Sequence, residues 1–222
     1  MNSMLIVMMR TEEEDKTMKK KFPVWGIVLI VLAVIALIFG ISVISPYNTM
    51  VKLDEQVTTA QANIQTQLQS RLDKINELMP SVQGVMDQED EIYKDIAALR
   101  SNTPGISMDA NGNMTIDPKA SLSDLESADA ASSQMVRDIN VAMESYPDLK
   151  SSDVMRDFMT SVEGAENRIS YAREQYNEDV QTFNSYIRSF PHNLTAGMFG
   201  FSPRDKFEAS AAAQNAPTVK FD

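Results

Sequence analysis

Residues 24–44, VWGIVLIVLAVIALIFGISVI, carry no charge and stand just after Lys19-Lys20-Lys21. The run is 21 residues long. As a helix it spans roughly 30 Å, the thickness of a bilayer's hydrocarbon core. It has no polar face, so it does not read as the core helix of a globular protein. A cleaved signal peptide has a shorter apolar core, on the order of 7–15 residues, with a small-x-small site behind it. Only Ser42 to Ser45 offers such a site here, and weakly. The run is therefore read as an uncleaved, single-pass anchor.

The flanks orient it. Arg10, Lys16, Lys19, Lys20 and Lys21 precede the run, whereas the first cation after it is Lys52, followed by Asp54 and Glu55. Short loops rich in Lys and Arg stay in the cytoplasm. Residues 1–23 are thus expected to be a short cytoplasmic segment, 24–44 the transmembrane helix, and 45–222 an extracytoplasmic domain at the plasma (inner) membrane. Met18-Lys19-Lys20-Lys21-Phe22 reads as a natural start, with residues 1–17 as an upstream extension.

Charge and cysteine content narrow the function. Residues 1–44 carry five basic and four acidic groups, and the remainder 15 basic and 27 acidic. The domain's net charge of −12 repels nucleic-acid phosphates, so nucleic acid is not an expected partner. There is no cysteine, which excludes disulfides, thiolate metal sites and a cysteine nucleophile. His192 is the one histidine, beside Pro191, and reads as a surface loop residue. No serine elbow or metal motif is present. The expectation is a protein that is not an enzyme and holds no cofactor.

Apolar residues after the anchor recur at steps of three and four: Val57, Ala60, Ile64, Leu68, Leu72, Ile75, Leu78, Val82, Ile92, Ile96 and Leu99. They predict one long helix over about 47–100, kinked where Pro80 lacks its N–H. Residues 101–120 break the pattern with Pro104-Gly105, Asn111-Gly112 and Asp117-Pro118, and Asn-Gly between Met108 and Met114 suggests a small hairpin. Asp109, Asn111 and Asn113 invite comparison with a calcium loop, but Met114 stands where glycine is required and Ala120 where the bidentate glutamate is.

A second helix is predicted over about 121–144, capped by Ser121 or Ser123, with a weaker stripe of Leu122, Leu125, Ala128, Met135 and Ile139. A third runs over about 152–189 with the cleanest stripe: Met155, Phe158, Val162, Ala165, Ile169, Ala172, Tyr176, Val180, Phe183, Ile187 and Phe190. Its alternating steps are knobs-into-holes spacing. Phe190-Pro191 stops it. The tail, with Leu194, Met198, Phe199, Phe201, Phe207, Val219 and Phe221, is expected to fold back along the bundle, with residues 209–213 as a short helix. The fold class is all-α: a long antiparallel helical bundle with a kinked first helix, preceded by one transmembrane helix.

These residues carry a resemblance. Tyr47-Asn48-x-x-Val51 is followed by Ala60-x-Ala62-x-Ile64-x-x-Gln67-Leu68-x-x-Arg71 and Ile75-x-x-Leu78-x-Pro80-x-Val82. Later come Tyr146-Pro147-Asp148-Leu149-Lys150, Glu163-Gly164-x-Glu166-Asn167-Arg168-Ile169, Ala172-Arg173-x-x-Tyr176-Asn177-x-x-Val180, Asn184 and Phe190-Pro191. Over residues 45–222 their order and spacing resemble the LemA family of bacterial membrane-anchored proteins. Family members usually show a stretch of the form R-R-x-D-L-I-P-N-L-V-x-x-V-x-G-Y-x-x-H-E. Here Ser70, Asn76, Glu77, Ser81 and Met86 replace some of those types, and Gln88 stands in for the histidine. The resemblance implies an anchor followed by a helical bundle, with a structural or adaptor-like role and no reaction to carry over.

Polar residues beside the stripes form the candidate site: Gln67, Arg71, Glu163, Glu166, Asn167, Arg168, Arg173 and Asn177. Glu163 and Glu166 share a helix face, a spacing that also suits acid/base work or a metal. The reading preferred is a hydrogen-bonded ion network between helices that fixes bundle register. The expected function is a scaffold or adaptor at the cell envelope, with another envelope protein or a second copy as partner. The alternative is a ligand-sensing domain working with a separate transducer.

Overall fold

The computed structural model describes residues 24–83, 94, 98, 102–145, 147 and 152–208. The chain divides into two compact units, Met1–Asn48 and Thr49–Asp222. The described part of the first is wholly helical, and its apolar side chains face outward: Leu37 is 63% exposed and Ile38 58%. Among the described residues this is the one helix long and apolar enough to cross a membrane, and none of its apolar window is buried against protein.

The helix containing it, α1, is Val24–Gln83. Helical geometry continues through Pro80 to Gln83. Gly84, Ile92, Ile96 and Leu99, on which the rest of the predicted first helix fell, lie outside the described residues. In the second unit α1 buries Met50, Val57, Ala60, Ile64, Leu68, Leu72, Ile75, Leu78 and Met79.

The hairpin follows as β1 (Ile106–Met108) and β2 (Met114–Ile116), antiparallel, with Met108 opposite Met114. Asp109 shapes its loop: Oδ1 accepts from the backbone N–H of Asn111 and of Asn113, at 2.8 Å each. That carboxylate is turned onto its own loop.

Amide side chains of α1 hold the hairpin. Asn76 donates from Nδ2 to the Met114 carbonyl at 2.9 Å and accepts the Met114 N–H at 3.0 Å. Gln69 accepts the Ile116 N–H at 2.7 Å, and Gln65 donates to the Asp117 carbonyl at 3.1 Å. The second strand therefore runs down α1 from Asn76 toward Gln65. It delivers the chain to the start of α2 (Leu122–Ser145). Ser121 opens α2 with a capping box: its Oγ accepts the Asp124 N–H, and the Asp124 carboxylate accepts from Ser121 N–H and Oγ.

The third helix, α3 (Asp153–Arg188), has Ser152 as N-cap, its side chain accepting from the Met155 N–H. Its buried set is Met155, Phe158, Val162, Ala165, Ile169, Ala172, Tyr176, Val180, Phe183 and Ile187, the predicted stripe less its last member. Phe190 is 81% exposed because helical periodicity ends at the C-cap, Ser189. Contacts between Arg71 and Glu166 at one level, and between Asp54, Arg204 and Asn184 at another, set α3 antiparallel to α1. Asp129 meets Arg173, and Val136 shares a cleft with Met159, so α2 is antiparallel to α3 as well. Hence α1 and α2 point the same way, an outcome of the hairpin's return along α1.

After the bend at Phe190-Pro191 comes α4 (His192–Phe199), closed by Gly200 at φ 77°. His192 stacks on Tyr186 with centroids 4.1 Å apart and shares a hydrogen bond with Ser189 Oγ. Residues 201–208 are extended and run back beside α3. Asn184 exchanges two bonds with the backbone of Arg204, both 2.8 Å. Asn177 does the same with Phe207, at 2.8 and 3.1 Å. The spacings match: seven helical residues rise about 10 Å, as do three extended ones. Phe207 is buried and Phe201 packs edge-on against Phe183. The tail residues 209–222, including the predicted short helix, lie outside the described residues. Leu194 and Met198 do not join the core as expected; α4 buries Thr195 and Ala196 instead.

Candidate functional site

Four charges meet midway along the bundle. Arg71 stands on the apolar face of α1, one residue before Leu72, and its side chain is 1% exposed. Its Nη1 donates to Asp129 Oδ1 at 2.9 Å and to the hydroxyls of Ser132 and Ser133 at 3.0 Å each. Its Nη2 bonds Glu166 of α3. Arg173, two turns along α3, pairs with Asp129 at 3.0 Å and Glu166 at 3.4 Å. The Arg173 guanidinium also lies 5.5 Å from the centroid of the Phe207 ring, a cation–π contact that ties the tail into the network. All three long helices and the tail thus converge on two arginines and two carboxylates.

The sets of opposite charge balance, and each carboxylate touches both guanidinium groups. Sliding one helix by a turn would separate these pairs, of which Arg71 and Asp129 are buried and Glu166 is half exposed. Among the described residues no group of three or more His, Cys, Asp or Glu side chains is placed to hold a metal ion.

The structure brings together Arg71, Glu166 and Arg173 from the sequence-derived set. It does not bring in the others. Asn177 serves the tail. Gln67, Asn167 and Arg168 line a groove between α1 and α3, with Asn63, Tyr171 and Gln175 on its walls and Ala60 and Ala172 as small residues of its lining; its volume is about 440 Å³. Glu163 lines a cleft of about 510 Å³ beside Arg71, with Ser133, Arg137 and Thr160. Asn167 touches both spaces.

Sequence reasoning missed Asp129, Ser132 and Ser133. A signal was present. The stripe of α2 has a gap between Ala128 and Met135, and in it Asp129, Ser132 and Ser133 recur at steps of three and one. Asp129 and Ser132 are buried, 6% and 1% exposed. A polar set filling a gap in an apolar stripe is the mark of a buried network.

Burial pushes the Asp129 carboxyl above its ordinary value, outweighing the opposing pull of Arg173 and Arg71, while Glu166 adds to the rise. A carboxyl with a raised folded pKa binds more protons folded than unfolded between the two pKa values. Its contribution therefore favours folding at low pH and declines as pH climbs from about 3.9 through the folded value, then stays flat. Carboxyl-carbon NMR titration of the full chain is expected to place Asp129 above the usual aspartate range, and higher still in Arg71→Ala. A titration at or below the ordinary value would contradict this placement.

A model of the LemA family matches residues 60–221, which takes in the network, the groove and the tail. The chain belongs to the LemA family. Among its relatives are two magnetosome proteins of Paramagnetospirillum magneticum, MamQ 1 and MamQ 2. Each is 24% identical over 224 residues, covering 94% of this chain and 81% of the relative. The protein LemA of Metamycoplasma hominis is 26% identical over 149 residues, covering 67% of this chain and 63% of its own. None of these names denotes an enzyme. This LemA-family chain thus combines an all-α fold with an N-terminal helix of membrane-spanning length and composition.

Proposed function

We propose that this protein is a non-enzymatic scaffold or adaptor of the cell envelope. In this reading residues 24–44 anchor it in the plasma membrane, N-terminus inside, and residues 45–222 work outside through protein contacts. The observation that carries the reading is the contrast between two polar sets. The charges of the network are spent on one another inside the bundle. The groove between α1 and α3 keeps its polar groups outward: among the described residues no internal hydrogen bond engages the side chains of Asn63, Gln67, Asn167 or Tyr171. Tyr171 is 63% exposed, and tyrosine beside small residues is the chemistry of interface cores.

A photo-crosslinking amino acid at position 171 of the full chain in native membranes tests this. The expected result is a defined protein adduct, absent when the probe replaces Val141, an exposed residue of α2. Equal labelling from both positions, or none from either, would refute the adaptor reading.

The cleft beside Arg71 favours a second reading, ligand sensing with a separate transducer. Its volume of about 510 Å³ suits a small molecule, and its lining includes both a cation, Arg137, and an anion, Glu163, for a zwitterion. A saturable rise in Tm with free amino acids would support sensing; no rise across a panel would remove it.

A further inference from the structure

The end of the bundle at α4 carries an apolar surface that the core does not use. Phe190 is 81% exposed, Leu194 60%, Met198 66% and Phe199 50%. Phe190 sits at the bend after α3, Leu194 and Met198 one turn apart on the outer face of α4, and Phe199 on the side of Thr195 and Ala196, the inner face. Large apolar side chains clustered in this way mark a surface that is covered in use.

Connectivity says what lies near. Asn184 and Asp54 both bind Arg204, so the C-terminal end of α3 and the residues 190–199 beyond it sit at the end of the bundle where α1 enters. Met50, at that entry, is buried in the core. It is six residues past Ile44, the last residue of the apolar run. Six residues reach at most about 20 Å whatever their conformation. Chain length alone thus keeps Met50, at this end of the bundle, within about 20 Å of the end of the run.

Charge points the same way. The domain has 27 acidic groups, yet none lies between Asp179 and Asp205, while Arg188 and Arg204 flank the segment. Asp54, which pairs with Arg204, and Glu55 stand at the same end on α1, so it is the segment 180–204 itself, and not the whole end, that offers anionic headgroups no repelling carboxylate.

We propose that Phe190, Leu194 and Met198 form an interfacial foot that inserts into the headgroup region of the bilayer carrying the anchor. The inference rests on the anchor reading of residues 24–44. An uncharged helix with aliphatic residues on its outer face and an exposed phenylalanine at the bend before it is the pattern of an element lying in the membrane plane, with its apolar side chains at the acyl boundary. A bundle so seated is held at two points, the span and the foot, which restricts its tilt.

Trp25 is the only tryptophan, which makes fluorescence the natural test. The full chain is reconstituted into vesicles of phosphatidylcholine and phosphatidylglycerol brominated on the acyl chains near the glycerol. Two proteins are compared: the native chain, reporting Trp25, and Trp25→Phe with Leu194→Trp, reporting the foot. The expected result is bromolipid quenching of both, to a similar fraction, with blue-shifted emission and protection from acrylamide. If Trp25 is quenched while the tryptophan introduced by Leu194→Trp is quenched only by acrylamide, the foot is overturned and the anchor stands. If the introduced tryptophan is blue-shifted but bromolipid leaves it unquenched, protein covers this face, a second copy or residues 209–222, and the foot is again overturned. If Trp25 itself escapes bromolipid, the anchor reading fails, and the foot with it.

Discussion

Arg71→Ala is expected to destabilise the helical domain by about 3–5 kcal/mol, the range found when one partner of a buried ionic group is removed. The loss is large because of what stays behind. Asp129, 8% exposed at its side chain, retains only Arg173 as counter-charge. Ser132 and Ser133 lose the donor that both were accepting from. For a domain of this size the drop in Tm is on the order of 10 °C. Arg71→Lys keeps the charge but not the planar fork that reaches Asp129 with one nitrogen and Glu166 with the other, so an intermediate loss is expected. Glu166→Gln should cost about 1 kcal/mol, since that carboxylate is 49% exposed and water can serve in its place. Denaturant unfolding of the full chain in mild detergent reads all three. A loss below about 1 kcal/mol for Arg71→Ala would mean that the network carries no stability. Strong non-additivity between Arg71→Ala and Asp129→Asn is the further mark of a shared network.

The way these residues work explains what could be read from the chain and what could not. The third helix was legible throughout because a single physical cause, burial of one face, governs it from Met155 to Ile187, and Ser152 and Ser189 close it with local chemistry. The hairpin was legible for the same reason: Asn111-Gly112 and the Asp109 loop bonds lie within a few residues of one another. Partnerships across long separations were not. From sequence Asn177 reads as a member of the polar network, Asn184 as a signature position and Asn76 as a departure from the family pattern, with no sign of the backbone each one binds. In the fold each presents a side-chain amide to an extended segment and exchanges two hydrogen bonds with its backbone, as a neighbouring strand would. Nothing in the sequence near Asn177 announces that the Phe207 backbone will lie opposite. The network shows the same limit. Arg71 and Arg173 were placed in it from their positions beside the stripes, whereas Arg168, chosen on the same ground, faces the groove. Five residues on a helix turn a side chain by about 140°, and only the path of α1 decides which arginine meets the carboxylates. The opposite error arose with Phe190, Leu194 and Met198. Apolar character alone reads as core, but α4 turns Thr195 and Ala196 inward and leaves Leu194 and Met198 exposed, as is Phe190 at the bend.

Phe183→Ala is expected to cost about 3–5 kcal/mol, the usual range for deleting a buried phenyl ring. Phe183 is 1% exposed and stands one residue before Asn184, where the tail is clamped. Its ring meets that of Phe201 edge to face, 6.3 Å between centroids. Removal therefore empties a space shared by α3 and the returning tail, and takes with it an aromatic pair worth about 0.5–1.5 kcal/mol beyond its area. Because the Asn184 and Asn177 bonds remain, the tail should loosen rather than detach. Hydrogen exchange separates the two: the N–H of Arg204, which donates to Asn184, should lose protection before that of Phe207, which also lies near the Arg173 guanidinium. Phe183→Leu should recover more than half of the loss, since most of the volume returns. An alanine variant weakened by less than about 1 kcal/mol would show that the end of the bundle collapses onto the vacancy. In that event the support for the α4 surface is pliable, and Asn184→Ala, which frees the Arg204 backbone directly, becomes the larger of the two perturbations. A full loss with the Arg204 N–H exposed first would instead establish that the packing of Phe183 on Phe201 fixes the bend after α3, and with it the direction in which Phe190, Leu194 and Met198 are presented.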